Sequence, residues 1–138
     1  NGSPSHQGPV SELDFRVGSL GSELFLNDDK RPSAMICSCD NTAIGFMNAV
    51  QTDGLKVPDD VAVFGFDGVP EGAYSRPPLT TIAQPLEKMS QEAVKCLLGL
   101  IENPEDTSRD YQLLSGSLVI RESSGPLPDD SFISDSAN

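Results

Sequence analysis

Three polar side chains stand where an α/β fold could put them to use. Asp40, Asp67 and Gln84 each follow an apolar or β-branched run: Ala34-Met35-Ile36-Cys37, Val61-Ala62-Val63-Phe64-Gly65-Phe66, and Leu79-Thr80-Thr81-Ile82-Ala83. In an open α/β sheet, ligands bind in the crevice beyond the carboxyl ends of the strands. If the strand order brings these ends together, two carboxylates and a carboxamide form one polar cluster. Carboxylates accept hydrogen bonds from hydroxyls, and a carboxamide both donates and accepts, so the cluster suits a sugar or another polyhydroxylated molecule, and equally an amine-bearing ring. The same residues also have plain structural roles open to them. Asp40 can cap the helix that follows, Asp67 can shape a turn at Gly68, and Gln84 can satisfy loop backbone groups.

Other chemistries find less support. The single histidine, His6, sits in a polar, turn-rich opening stretch, which leaves no ordered imidazole to activate a serine or a thiol. Paired carboxylates could act as acid and base, but nothing identifies a nucleophile or a leaving group, so neither an enzyme nor a cofactor is expected. A phosphate-binding loop is missing, and Gly65-Phe66-Asp67-Gly68 does not match the dinucleotide fingerprint. Cys37 and Cys39 would share one face of an extended strand, yet no Cys-x-x-Cys pair or ordered histidine accompanies them, so no metal site is expected. With Cys96 they make an odd set of thiols, which favours a reducing compartment.

The elements that must position the cluster follow from periodicity and punctuation. Residues 1–12 are expected to be a flexible lead-in. Leu13–Val17 predicts a short strand, and Leu20, Leu24 and Phe25 then recur at helical spacing, weakened by Gly18 and Gly21. Ala34–Cys37 has the continuous apolar character of a strand buried on both faces of a parallel sheet. Asp40 then opens a helix with Ala43, Phe46, Met47 and Val50 on one stripe and Gly54 at its end. Val61–Phe66 predicts the next buried strand, which completes a β-helix-β unit, and Leu79–Ala83 predicts a third. Beyond Pro85, the residues Leu86, Met89, Ala93, Leu97, Leu100 and Ile101 trace the clearest amphipathic helix of the chain. Tyr111–Ile120 predicts one or two strands interrupted at Ser115-Gly116-Ser117, and residues 127–138 form a polar tail.

Bulk properties narrow the classes further. A length of 138 residues with 37% hydrophobic content supports one modest core. Acidic residues outnumber basic ones 21 to 9, a formal charge of −12, so the chain should repel a phosphate backbone rather than bind it. No stretch approaches the ~20 apolar residues of a membrane span, and no export signal opens the chain.

The order of elements and motifs resembles the LacI/GalR family of transcription regulators. The resemblance covers roughly residues 13–126 and rests on Arg31-Pro32-Ser33-Ala34, on Cys39-Asp40-Asn41-Thr42-Ala43-Ile44-Gly45, and on the run from Gly54 to Asp67. Most specific are Tyr74-Ser75-Arg76-Pro77-Pro78-Leu79-Thr80-Thr81-Ile82-Ala83-Gln84-Pro85-Leu86 and the later Leu118-Val119-Ile120-Arg121-Glu122-Ser123-Ser124-Gly125-Pro126.

The resemblance implies a three-layer α/β/α, Rossmann-like fold with a mainly parallel sheet: the C-terminal subdomain of a periplasmic-binding-protein-like sensor. The DNA-binding helix-turn-helix and the first subdomain would lie outside this chain. It further implies a small-molecule effector, a sugar by preference, a cytoplasmic homodimer, and contact with DNA only through that other domain. Carried over residue by residue, the effector contacts fall on Phe15 as an aromatic wall, Asp67 as a hydroxyl-binding carboxylate, and Gln84. Cys39 stands where the family often has a ligand-contacting asparagine beside Asp40. Gly68 replaces a usual acidic or amide residue, and Arg16 occupies a position commonly small and polar. A solute-binding protein or receptor sensor outside the cytoplasm would use the same fold, and a purely structural dimerising role is the third alternative.

Overall fold

The computed structural model describes residues 10–104 and 112–126. His6, Tyr111 and the tail from residue 127 lie outside them, so the expectations placed there meet no structure.

The elements run α1 (Val10–Leu26), β1 (Ala34–Ile36), α2 (Asp40–Thr52), β2 (Ala62–Asp67), β3 (Thr80–Ala83), α3 (Leu86–Glu102) and β4 (Ser117–Val119), with short 3₁₀ turns at Pro70–Ala73 and Glu122–Ser124. The sheet order is β1-β2-β3-β4, in which β1, β2 and β3 are parallel and β4 returns antiparallel. This is the expected α/β, mainly parallel sheet. Because β1, β2 and β3 are neighbours running the same way, their carboxyl ends open on one edge of the sheet.

The first expectation to fail is the strand at Leu13–Val17, which lies inside α1; the helix also reaches back into the presumed lead-in, to Val10. The physical reason is packing. Phe15, Gly18, Ser22 and Phe25 fall at helical spacing and face α2; Gly18, Ser22 and Phe25 are buried. A Cβ at Gly18 would overlap the Thr42 carbonyl oxygen, and one at Gly45 would overlap that of Phe15. The two glycines thus let the helix backbones touch, and that contact offsets the weak helix propensity of α1. Phe25 meets Phe46 edge-to-face, with ring centroids 5.4 Å apart.

Those side chains form one core with Cys37, Met47, Val50, Val57, Val61, Val63 and Leu79. It fills the space between the α1/α2 layer and one face of the sheet. The opposite face departs from the expectation of strands buried on both sides. Ile36 is 80% exposed and Leu118 62%, and Phe66 and Ile82 are exposed as well. Helix α3 forms where its stripe predicts, yet none of its side chains is buried. Its apolar residues therefore contribute nothing to this core. The segment before Ile120 yields one three-residue strand, with Ser115 and Gly116 preceding it rather than interrupting it.

The carboxyl-terminal return is fastened by polar groups. Ser123 is fully buried; its hydroxyl donates to the Val63 carbonyl at 2.6 Å and accepts from the Thr80 amide at 2.8 Å. Arg121 donates through Nη1 to the Leu79 carbonyl at 2.6 Å, and its amide donates to Thr80 Oγ1. The Arg121-Glu122-Ser123-Ser124 motif is thus a clasp on β2 and β3.

Candidate functional site

Strand β2 ends at Asp67 and β3 at Ala83, and the two are paired across the sheet. Gln84 follows directly. Its Nε2 donates to Asp67 Oδ1 at 2.6 Å, and its main-chain amide donates to the Asp67 carbonyl at 3.1 Å. The strand order does bring these two ends together, and the carboxylate and the carboxamide meet. Both side chains are half-buried, so they reach the surface at the edge where an open α/β sheet receives ligands.

The backbone at Asp67 is unusual. Its φ is +130°, a conformation that L side chains rarely adopt, and Gly68 follows at φ +79°. A Cβ at Gly68 would lie 2.6 Å from Ala83 Cα. This accounts for a glycine at position 68: the turn passes too close to β3 for a side chain.

Asp40 does not sit as expected. It neither caps α2 nor reaches solvent: it is the first residue of the helix and is 0% exposed. Its Oδ2 accepts from the Gly68 and Val69 amides, both at 2.8 Å, and its Oδ1 accepts from the Thr81 hydroxyl at 2.5 Å. The N-cap is Cys39, whose Sγ accepts from the Thr42 amide at 3.5 Å and lies 3.1 Å from the Thr42 hydroxyl. Because β1 ends at Ile36, Cys39 is no longer on a strand, and the shared strand face with Cys37 is lost. Burial, and then the neighbouring Cys39, push the Cys37 thiol up to about 11. Among the described residues, no group of three or more His, Cys, Asp and Glu could hold a metal ion.

Phe15 makes no hydrogen-bonded part of this pair. It lies in α1, packs partly against the core, and with Glu12, Arg16, Asn48 and Thr52 lines a shallow groove between α1 and α2. Arg16 is exposed there. The polar pair the structure assembles at the strand ends is Asp67 with Gln84, and Asp40 is buried against the turn that follows Asp67. Sequence reasoning missed Thr81 and Gly65, the residues that accommodate the Asp40 carboxylate. Their signal was a hydroxyl in β3 and a glycine inside the apolar run of β2.

The acid–amide pair stands over the parallel strand ends, the place where open α/β sheets receive ligands. The chain belongs to the periplasmic binding protein-like domain family, which residues 4–124 match, in the form found in LacI/GalR-type transcription regulators. The ribose operon repressor of Haemophilus influenzae is 38% identical over 113 residues, a match that covers 82% of this chain and 34% of the repressor. A LacI-type transcription regulator from Bifidobacterium animalis subsp. lactis superposes with a TM-score of 0.71 at 37% identity, over 80% of this chain and 39% of that one. The lac repressor dimer bound to operator and the anti-inducer ONPF superposes with a TM-score of 0.71 at 34% identity, over 79% of this chain and 32% of the repressor. The chain spans about a third of the length of the curated relatives it matches. Among the described residues, no helix is long and apolar enough to cross a membrane.

Proposed function

We propose that this chain contributes the Asp67–Gln84 edge of a small-molecule effector site in a LacI/GalR-type transcription regulator, with a sugar as the effector. The observation that carries the proposal is the hydrogen-bonded acid–amide pair at the carboxyl ends of β2 and β3 in a member of this family. A carboxylate accepts from vicinal hydroxyls, and a carboxamide supplies both a donor and an acceptor, which matches the alternating polarity of a polyol. The similarity to a ribose operon repressor points to a pentose as the first candidate.

Regulation of DNA would be indirect. A formal charge of −12 disfavours contact between this chain and phosphates, so operator binding belongs to another part of the regulator. The similarity to a repressor dimer on its operator supports a homodimer. Free thiols at Cys37, Cys39 and Cys96 support a cytoplasmic setting, and the repressor names of the relatives support a role without catalysis.

The test is calorimetric titration of the complete regulator with D-ribose, other pentoses, hexoses, nucleosides and purines, with Asp67→Ala as the control. Saturable binding of a sugar that the variant loses is the expected result. Binding that persists undiminished in Asp67→Ala refutes the assignment of the site.

A further inference from the structure

Asp40 is the most completely buried carboxylate of the described chain, and its hydrogen bonds all run to residues that flank the acid–amide pair. Gly68 and Val69 follow Asp67 directly, and Thr81 lies on β3 three residues before Gln84. We infer that Asp40 is a positioning residue for the effector site: its carboxylate sets the Asp67–Gly68 turn and thereby the hydrogen-bonded approach of Asp67 to Gln84, so that ligand affinity depends on a side chain no ligand can touch. The inference rests on the effector-binding role proposed for that pair.

Two independent features of the chain support it. First, Asp67 at φ +130° needs outside support, since a residue with a side chain seldom holds such a backbone on its own. The support is one carboxylate oxygen on which the next two amides converge, at 2.8 Å each. Second, β2 carries a glycine at position 65, where a strand interior ordinarily disfavours one. A Cβ there would overlap Asp40 Oδ1, so Gly65 is the space the carboxylate occupies. A helix cap would need neither feature. The position of Asp40 at the start of α2 also sets its negative charge at the positive end of the helix dipole.

The geometry distinguishes two substitutions. Asp40→Asn keeps one oxygen for the Gly68 and Val69 amides and turns its NH₂ toward the Thr81 hydroxyl, which can accept. Asp40→Ala leaves both amides without their acceptor. In the 138-residue chain, amide exchange followed by NMR should accelerate about tenfold or more at Gly68 and Val69 in Asp40→Ala, with the rest of α2 and β2 unaffected, and return toward the parent in Asp40→Asn. In the complete regulator, affinity for whichever sugar of the pentose and hexose panel the parent binds should fall at least about tenfold in Asp40→Ala and recover in Asp40→Asn.

Unchanged exchange at Gly68 and Val69 overturns the inference, and so does a loosened turn with undiminished sugar affinity. Should Asp40→Ala not fold, Thr81→Val removes only the hydroxyl that fixes Oδ1; exchange at Gly68 and Val69 that stays at the parent rate in that variant overturns it as well. If the parent regulator binds none of the sugars, the effector reading fails by itself, and the exchange rates still decide whether Asp40 sets the turn.

Discussion

Gln84 holds Asp67 twice, with its side-chain amide 2.6 Å from the carboxylate and its main-chain amide 3.1 Å from the carbonyl. The two contacts lock the end of β2 to the residue after β3, so the chemistry of position 84 is also the register of the site.

That double contact predicts the effect of Gln84→Glu. The substitution preserves shape but sets two carboxylates within hydrogen-bond distance, where only a shared proton relieves their repulsion. Urea unfolding should show a destabilisation of roughly 1–2 kcal/mol at neutral pH that shrinks as the solution is acidified. A pH-independent effect would mean that the two side chains do not meet in solution.

Gly68 makes a second prediction at the same turn. Its φ of +79° and the 2.6 Å that would separate a new Cβ from Ala83 Cα leave no room for alanine. Gly68→Ala should cost about 1–3 kcal/mol in thermal or denaturant unfolding. It should also weaken effector binding more than a distant substitution of equal cost, because it pries apart the ends of β2 and β3.

The clasp at the chain's return offers a third. Replacing the buried Ser123 by alanine strands the Val63 carbonyl and the Thr80 amide at once. A loss of about 1–3 kcal/mol is expected, larger than that for an exposed serine such as Ser90. Equal costs at the two positions would show that water replaces the hydroxyl.

The thiols differ in reactivity for a physical reason. Burial, and secondarily Cys39, raise the Cys37 thiol from 9.0 to about 11, so the folded chain holds this proton more tightly than the unfolded one. The resulting stabilisation is complete below pH 9.0 and is lost as the pH rises through about 11. At about pH 8 iodoacetamide should modify the exposed Cys96 first and Cys37 only on unfolding, as read by mass spectrometry. Native-state labelling of Cys37 at the rate of Cys96 would show that the core opens readily.

What the sequence discloses is uneven, and the unevenness has causes. Helix α2 and strands β2 and β3 are legible from local periodicity and punctuation, whereas the meeting of Asp67 with Gln84 depends on the pairing of β2 with β3, which local pattern does not fix. Asp40 is not legible either, because a carboxylate at a strand–helix junction looks alike whether it caps its own helix or reaches amides 28 and 29 residues away. The strand expected at Leu13–Val17 fails for a related reason. The glycines beside it weaken a helix locally, and their benefit comes only from a partner helix distant in sequence. The apolar run of β2 correctly marks a strand buried on one face, at Val63 and Gly65, whereas the three residues of β1 are exposed or half-buried, and no cover for the other face is among the described residues.

The helix contact gives the last prediction, with opposite signs at neighbouring glycines. Gly18 and Gly21 lie a turn apart on α1, and propensity alone would reward alanine at both. At Gly21 nothing lies within 4 Å of a new Cβ, so Gly21→Ala should stabilise the chain by about 0.5–1 kcal/mol. At Gly18 the new methyl meets the Thr42 carbonyl and, at 2.7 Å, the Phe46 amide nitrogen, both backbone atoms that cannot step aside. The helices must separate, which thins the packing around Phe25 and Phe46 and costs about 1–3 kcal/mol. Paired denaturant curves decide the matter. A stabilising Gly18→Ala would mean that α1 does not rest on α2 in solution, and the groove that holds Phe15 and Arg16 would then have to be redrawn.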